Sequence, residues 1–199
     1  MNWETIEHWI EWAKAEVPSP DLLARQINSS GHPDPYYNFL RKIAEEADEA
    51  GVFLELGCYY GCLAAHLSAS STLLTHLGVD INPVPFSSYG SVMIQGDTVG
   101  TSNGGLPTIE MVKRIANACG GIQYVFQDSS HHYAASVKEW ELYSPLVKKG
   151  GLWLADDITA AFRRPDEPKG MVDYFEELSG DKQLFDGLHI GSTIGIIRL

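Results

Sequence analysis

The sequence has few cysteines, no long apolar segment and no recognisable leader pattern. Its three cysteines are an odd number without metal-type C-x-x-C spacing, which predicts reduced thiols in a cytoplasmic chain. No apolar run reaches the roughly eighteen residues of a membrane span, so no membrane association is expected. The N-terminal segment carries acidic residues within its apolar pattern, which is not expected of a signal peptide.

Basic residues are scarce as well. There are 14 Lys and Arg against 26 Asp and Glu, a net charge of −12, which disfavours nucleic acid and favours a small-molecule partner. A length of 199 residues predicts a single domain, 1–199, with an N-terminal helical extension (1–50) and a core (51–199). The tryptophans of the extension predict a packing helix, and a pocket roof or a homo-oligomer contact are the alternatives.

Apolar periodicity predicts that strands and helices alternate along the core. Strands are expected at 52–56, 75–80, 91–95, 122–127 and 151–155, and helices at 2–15, 36–50, 61–69, 107–119, 132–143 and 170–179. The last segment, 187–199, is typical of a hairpin-like pair of strands. This order predicts an α/β fold with a mostly parallel sheet and helices on both faces.

A glycine-containing turn follows the first predicted strand, in the segment FLELGCYYG. It places Glu55, Gly57 and Gly61 between an apolar strand and a helix. Glycines let a ligand approach the backbone, and the helix N-terminus favours a carboxylate or phosphate. Asp80 ends the next strand, where an acid can bind two ribose hydroxyls. The spacing is not the dinucleotide pattern G-x-G-x-x-G, so it predicts another nucleoside-type cofactor, with a glycine-rich turn of an unrelated α/β protein as the alternative.

Acidic residues follow the fourth and fifth predicted core strands. Asp128 comes directly after one strand, and Asp156 and Asp157 come after the other. Because ligands bind beyond the carboxyl ends of parallel strands, we expect these three carboxylates to converge. Their mutual repulsion is relieved by a hard cation such as Mg²⁺, although helix caps or a simple turn would also account for them.

A pair of histidines, His131 and His132, lies three residues beyond Asp128. A metal-bound hydroxyl becomes more acidic, and an imidazole titrates near neutrality, so a histidine here is a candidate proton acceptor. His131 is the preferred base, with His132 as the alternative.

From Val52 to Ile158 these motifs together resemble the metal-dependent small-molecule O-methyltransferases. This group of class I S-adenosylmethionine methyltransferases includes macrolide sugar methyltransferases and cephalosporin-hydroxylase-like proteins. The resemblance rests on the glycine turn, Asp80, the pair Gly96-Asp97, Asp128-x-x-His131-x-Tyr133, the phrase SPLVKKGG, the pair Asp156-Asp157 and MVDYFEEL near the C-terminus.

The resemblance implies a Rossmann-like fold with seven strands, the last forming an antiparallel hairpin. It also implies that Glu55 and the turn hold the methionine end of S-adenosylmethionine, with Asp97 and Thr98 near the adenine. Asp128 would belong to both the cofactor site and the metal site, where Asp156 and Asp157 complete the Mg²⁺ ligands. This chain departs from the family at Ser129, usually glycine, and at Asp156, often glutamate.

The expected activity is O-methylation of a hydroxyl on a small molecule, with His131 as the base. Acceptor specificity is expected in the loops at 83–91, 98–106 and 159–170. Two alternatives remain open at this point. One is a non-catalytic cofactor-binding or scaffolding protein of the same fold, and the other is a metal-dependent hydrolase or hydroxylase.

Overall fold

A computed structural model describes residues 1–15, 34–84, 91–159, 167–189 and 192–199. The predicted acceptor loops 83–91 and 159–170 lie partly outside these ranges. The helices are α1 (Trp3–Ala15), α2 (Asp34–Glu45), α3 (Cys62–Ser68), α4 (Thr108–Ala118), α5 (Tyr133–Tyr143) and α6 (Met171–Glu177). The strands are β1 (Gly51–Leu56), β2 (Leu74–Asp80), β3 (Ser91–Gln95), β4 (Ile122–Gln127), β5 (Val147–Ala155), β6 (Asp181–His189) and β7 (Ser192–Arg198).

The seven strands form one sheet in the order β3-β2-β1-β4-β5-β7-β6. The first five are parallel, and β7 runs antiparallel between β5 and β6. The predicted fold class, a mostly parallel seven-stranded α/β sheet with a C-terminal antiparallel hairpin, is confirmed. Chain order reverses at β1 and β4, and a crevice forms beyond the carboxyl ends of strands at such a point.

Helices cover both faces of the sheet, as side-chain alternation along the strands requires. On one face Phe53 of β1 packs with α1, α2 and α3. On the other face Val52 and Leu54 pack with α4, α5 and α6. Asn2 caps the N-terminus of α1, because its Oδ1 accepts a 2.8 Å hydrogen bond from the amide of Thr5. No helix within the described ranges is long and apolar enough to cross a membrane.

Three predicted boundaries are wrong, each for a local reason. The second helix ends at Glu45 rather than 50, since the acidic side chains that follow would be repelled by the negative end of the helix dipole. β5 begins at Val147 rather than 151, because an irregularity in its pairing with β4 admits the polar residues before Gly151. β6 begins at Asp181 rather than 187; as an edge strand it needs no continuous apolar run.

Candidate active site

A cavity of about 850 Å³ opens beyond the carboxyl ends of the central strands. Most of the site residues that were predicted from separate sequence motifs line this cavity. Those that line it are Glu55, Gly57, Asp80, Asp97, Thr98, Asp128, His131 and Asp157. Gly61 and Asp156 are not part of this lining. Gly61 is the N-terminal cap of α3, and Asp156 is fully buried.

The glycine turn has the backbone geometry that its sequence predicts. Gly57 has a φ of +88°, and a Cβ there would lie 2.1 Å from the carbonyl oxygen of Asp128. Gly61 has a φ of +81° at the N-terminal cap of α3. Any side chain at Gly57 would therefore separate β1 from the end of β4, where the cofactor and metal motifs meet.

Asp80 holds the turn in place. Its Oδ2 accepts 2.8 Å hydrogen bonds from the amides of Cys58 and Tyr59, and its Oδ1 accepts one from the amide of Asn82. A carboxylate has about four acceptor positions, so Asp80 retains about one for a ribose hydroxyl. The residue predicted to bind ribose thus also shapes the turn beside it.

The loop after β3 is held by hydrogen bonds to a buried carboxylate, Glu139, which the sequence analysis missed. Thr98 lines the cavity, but its hydroxyl donates to Glu139 of α5. The other oxygen of Glu139 accepts from Gln127 Nε2 at 2.7 Å and from the Ser129 hydroxyl at 2.8 Å. Burial raises the pKa of Glu139, and the three donors oppose that rise.

Asp97 stays on the cavity wall, where its Oδ1 accepts from the amide of Val99.

This network gives Ser129 a role. At the position where the resemblance implies glycine, the serine hydroxyl bonds to Glu139 and ties the segment after Asp128 to α5. The departure from the family pattern is therefore accommodated by a second polar residue of this chain.

His131 lies between two carboxylates on the cavity wall. Its Nε2 is 3.1 Å from Asp128 Oδ1, and its Nδ1 is 3.3 Å from Asp157 Oδ2. Burial lowers the pKa of His131, but the hydrogen bond and charge of Asp128, with the charges of Asp157 and Asp156, outweigh it and raise the pKa. His132 instead occupies the N-terminal cap position of α5, and its Nδ1 lies 3.3 Å from Glu167 Oε1.

Possible ligand atoms of Asp128, His131 and Asp156 all lie within 4.8 Å of one another. Carboxylate oxygens are the donors that Mg²⁺ prefers, so the acids of this cluster fit the predicted ion. The structure thus brings Asp128 and Asp156 together as predicted, while Asp157 contacts the far nitrogen of His131.

Asp156 is held by a tyrosine from the N-terminal extension. The hydroxyl of Tyr36, in α2, donates a 2.5 Å hydrogen bond to Asp156 Oδ1, and both residues are buried. Burial first, and then the charge of Asp156, raise the pKa of Tyr36, which keeps its hydroxyl a donor. The extension therefore reaches the acidic cluster directly.

Backbone strain is concentrated at this cavity. Within the described ranges, the non-glycine residues with positive φ are Tyr59 (46°), His131 (48°) and Asp157 (54°), and all three line it. Each such conformation costs about 1–3 kcal/mol and persists only where the surroundings impose it. Its coincidence with the acidic cluster points to function independently of any motif.

The cavity wall is strongly anionic. Five of its residues are acidic (Glu55, Asp80, Asp97, Asp128 and Asp157), and the described part of the lining contains no lysine or arginine. Such a wall attracts a cationic ligand or a metal ion and repels a polyphosphate.

The residues that the sequence analysis missed share a recognisable signal. Tyr36, His76 and Glu139 are polar groups at buried positions of otherwise apolar stripes. Glu139 lies on the buried face of α5 with Ser136 and Tyr143, three and four residues away. A charged residue at such a position could have been flagged as a buried partner.

No family profile matches the sequence, and no curated protein matches it either. Solved structures do match. A Staphylococcus aureus protein provisionally assigned as a caffeoyl-CoA O-methyltransferase aligns with a TM-score of 0.67 at 15% identity, over 96% of this chain and 98% of that one. TomG, an O-methyltransferase of Streptomyces achromogenes in complex with S-adenosylmethionine, aligns with a TM-score of 0.61 at 14% identity, over 100% of both chains.

The methyltransferase MycE of mycinamycin biosynthesis, in complex with Mg, S-adenosylhomocysteine and mycinamycin VI, aligns with a TM-score of 0.60 at 18% identity. The alignment covers 92% of this chain and 54% of MycE, so the chain spans about half the length of that enzyme. The predicted likeness in fold is thus confirmed over nearly the whole chain. This chain has the fold of the class I S-adenosylmethionine-dependent O-methyltransferases.

Proposed function

We propose that this chain is an S-adenosylmethionine-dependent O-methyltransferase that acts, with Mg²⁺, on a hydroxyl of a small molecule. The observation that carries the proposal is one cavity at which two differently built groups of residues meet. The turn of Glu55 and Gly57 with Asp80 forms one group on its wall. His131 with Asp128 and Asp157 forms the other, and Asp156 lies buried beside it.

The anionic wall supports this cofactor. S-Adenosylmethionine carries a sulfonium and an ammonium, and no phosphate, which suits a described lining of five acids without lysine or arginine. Glu55 would accept from the ammonium, Asp80 would bind the ribose hydroxyls, and Asp97 and Thr98 would border the adenine. When bound, the cofactor supplies an electrophilic methyl group for in-line displacement, so alignment with the acceptor oxygen provides much of the rate.

The acidic cluster would hold Mg²⁺ through Asp128, Asp156 and Asp157, and the ion would lower the pKa of an acceptor hydroxyl. His131 would take the hydroxyl proton at Nε2, the nitrogen that lies 3.1 Å from Asp128 Oδ1, once Mg²⁺ engages that carboxylate in place of the ring. Asp157 would keep the other proton on Nδ1, because its carboxylate lies 3.3 Å from that atom. Tyr36 would orient Asp156 through its 2.5 Å hydrogen bond.

The test is methyl transfer from labelled S-adenosylmethionine to a panel of small hydroxylated compounds, read by mass spectrometry. We expect a methylated product with Mg²⁺ and no product in EDTA. Mn²⁺ binding followed by electron paramagnetic resonance should weaken at least tenfold in Asp156→Asn, because one carboxylate ligand is lost. Glu110→Gln, on an exposed face of α4, is the control and should bind Mn²⁺ like the wild type.

Two results would count against the proposal. Full methyl transfer in EDTA would show that the reaction does not need Mg²⁺ and would contradict the metal part of the proposal. Mn²⁺ binding that is equal in Asp156→Asn and in the wild type would show that the acidic cluster is not the metal site.

A further inference from the structure

A buried histidine lies behind the methionine end of the cavity. His76 of β2 and Glu55 of β1 are each almost fully buried, and His76 Nε2 lies 2.8 Å from Glu55 Oε2. Glu55 also lines the cavity, whereas His76 is not part of the lining. The histidine therefore contacts the wall residue from inside the protein.

Strand register explains how the two side chains meet. Phe53 pairs with His76 and Glu55 pairs with Gly78 in the parallel ladder, so all four residues share one face of the sheet. A Cβ at Gly78 would lie 2.5 Å from Met93 Sδ and 2.6 Å from Cys58 Sγ. Two sulfur atoms thus occupy the space beside Gly78, the residue that pairs with Glu55. The hydrogen bond to the Glu55 carboxylate comes from the imidazole of His76.

The imidazole makes this one hydrogen bond within the described part of the chain. Its Nδ1 is buried and has no partner there. The hydrogen bond requires a proton on Nε2, which leaves Nδ1 as an acceptor and avoids an unpaired buried donor. The ring is thus a dedicated partner of Glu55 rather than part of a wider network.

We infer that His76 is a positioning residue, which fixes the Glu55 carboxylate so that its cavity side receives the ammonium group of the cofactor's amino-acid end. A free glutamate side chain loses conformational entropy when it binds a ligand, and a carboxylate already held by a rigid ring loses less. A buried carboxylate without a cationic side chain on the described lining also gains most from a ligand that brings a positive charge.

This inference rests on the proposed function and predicts ligand discrimination rather than general stability. S-Adenosylhomocysteine carries the ammonium, whereas 5′-methylthioadenosine has the same nucleoside and sulfur without the amino-acid end. If His76 acts through Glu55, its loss should weaken binding of the first compound and spare the second. A purely structural histidine would affect both compounds alike.

Two substitutions form a matched pair. His76→Gln places an amide nitrogen near the position of Nε2, whereas His76→Asn places it near Nδ1, away from Glu55. By calorimetry we expect His76→Asn to bind S-adenosylhomocysteine about tenfold more weakly and methylthioadenosine within twofold of the wild type. His76→Gln should retain most of the wild-type discrimination.

Glu55→Gln provides a second route if His76→Asn does not fold, because glutamine keeps an acceptor for His76 and removes the charge. We expect it to lose discrimination between the two compounds. Equal weakening of both compounds in His76→Asn, or full discrimination in either His76→Asn or Glu55→Gln, would overturn the inference. A wild type that binds neither compound would instead overturn the proposed function, and the inference with it.

Discussion

At the scale of single residues, the neighbours His131 and His132 have different surroundings. His131 has a left-handed backbone and lies between Asp128 and Asp157 at the cavity. His132 caps α5 in an extended conformation and faces Glu167. The strained turn between β4 and α5 therefore directs one imidazole into the cavity and the other away from it.

This difference predicts the effect of removing each ring. His131→Ala should lower kcat for methyl transfer by about 10²–10⁴, the usual effect of a positioned acid–base group. Its affinity for S-adenosylhomocysteine should change less than threefold, because the ring acts on the acceptor side. The checks are steady-state kinetics and calorimetry at matched folded fractions.

His132→Ala is the matched control and should lose less than tenfold in kcat. If His132→Ala proves the more damaging substitution at equal stability, the assignment of the base to His131 is wrong.

At the scale of elements, α6 illustrates how a short helix is stabilised from outside. Its C-terminal end is capped by Lys182 of β6, whose Nζ donates to the carbonyl oxygens of Phe175, Glu176 and Leu178 at 2.6–2.8 Å. A cation at this end also opposes the negative pole of the helix dipole. The edge strand therefore supports the helix whose own residues Met171 and Tyr174 pack into the core.

We accordingly predict that Lys182→Met lowers the free energy of unfolding by about 1–2 kcal/mol, since three carbonyl groups lose their charged donor. Urea denaturation measures the change. Lys138→Met is the control, because its ion pair with Glu141 is exposed and should contribute less than about 0.5 kcal/mol. A loss in Lys182→Met no larger than that of the control would contradict the capping role.

At the scale of the whole molecule, the sequence predicts what depends on local spacing. The glycine turn, Asp80 and the acids after β4 and β5 each follow an apolar strand, so their position at the carboxyl edge of the sheet follows from strand order. The element types follow from periodicity for the same reason. Boundaries are missed where polar residues enter a strand, as they do before Gly151.

Contacts between distant segments could not be predicted in this way. Tyr36 reaches Asp156 across 120 positions, and His76 reaches Glu55 across neighbouring strands. These partners are set by the packing of α2 on the sheet and by strand register, neither of which has a short sequence signature. Homo-oligomerisation and the location of acceptor specificity in three loops remain predictions of the sequence alone.

The central claim is that the cavity beyond β1 and β2 binds S-adenosylmethionine, and calorimetric titration with S-adenosylhomocysteine tests it most directly. We predict saturable binding at one site per chain. Asp80→Asn should bind at least tenfold more weakly, because it replaces the proposed acceptor of the ribose, which also accepts from the turn amides. The control Glu110→Gln should bind like the wild type. No binding by the wild type, or unchanged affinity in Asp80→Asn, would contradict the account.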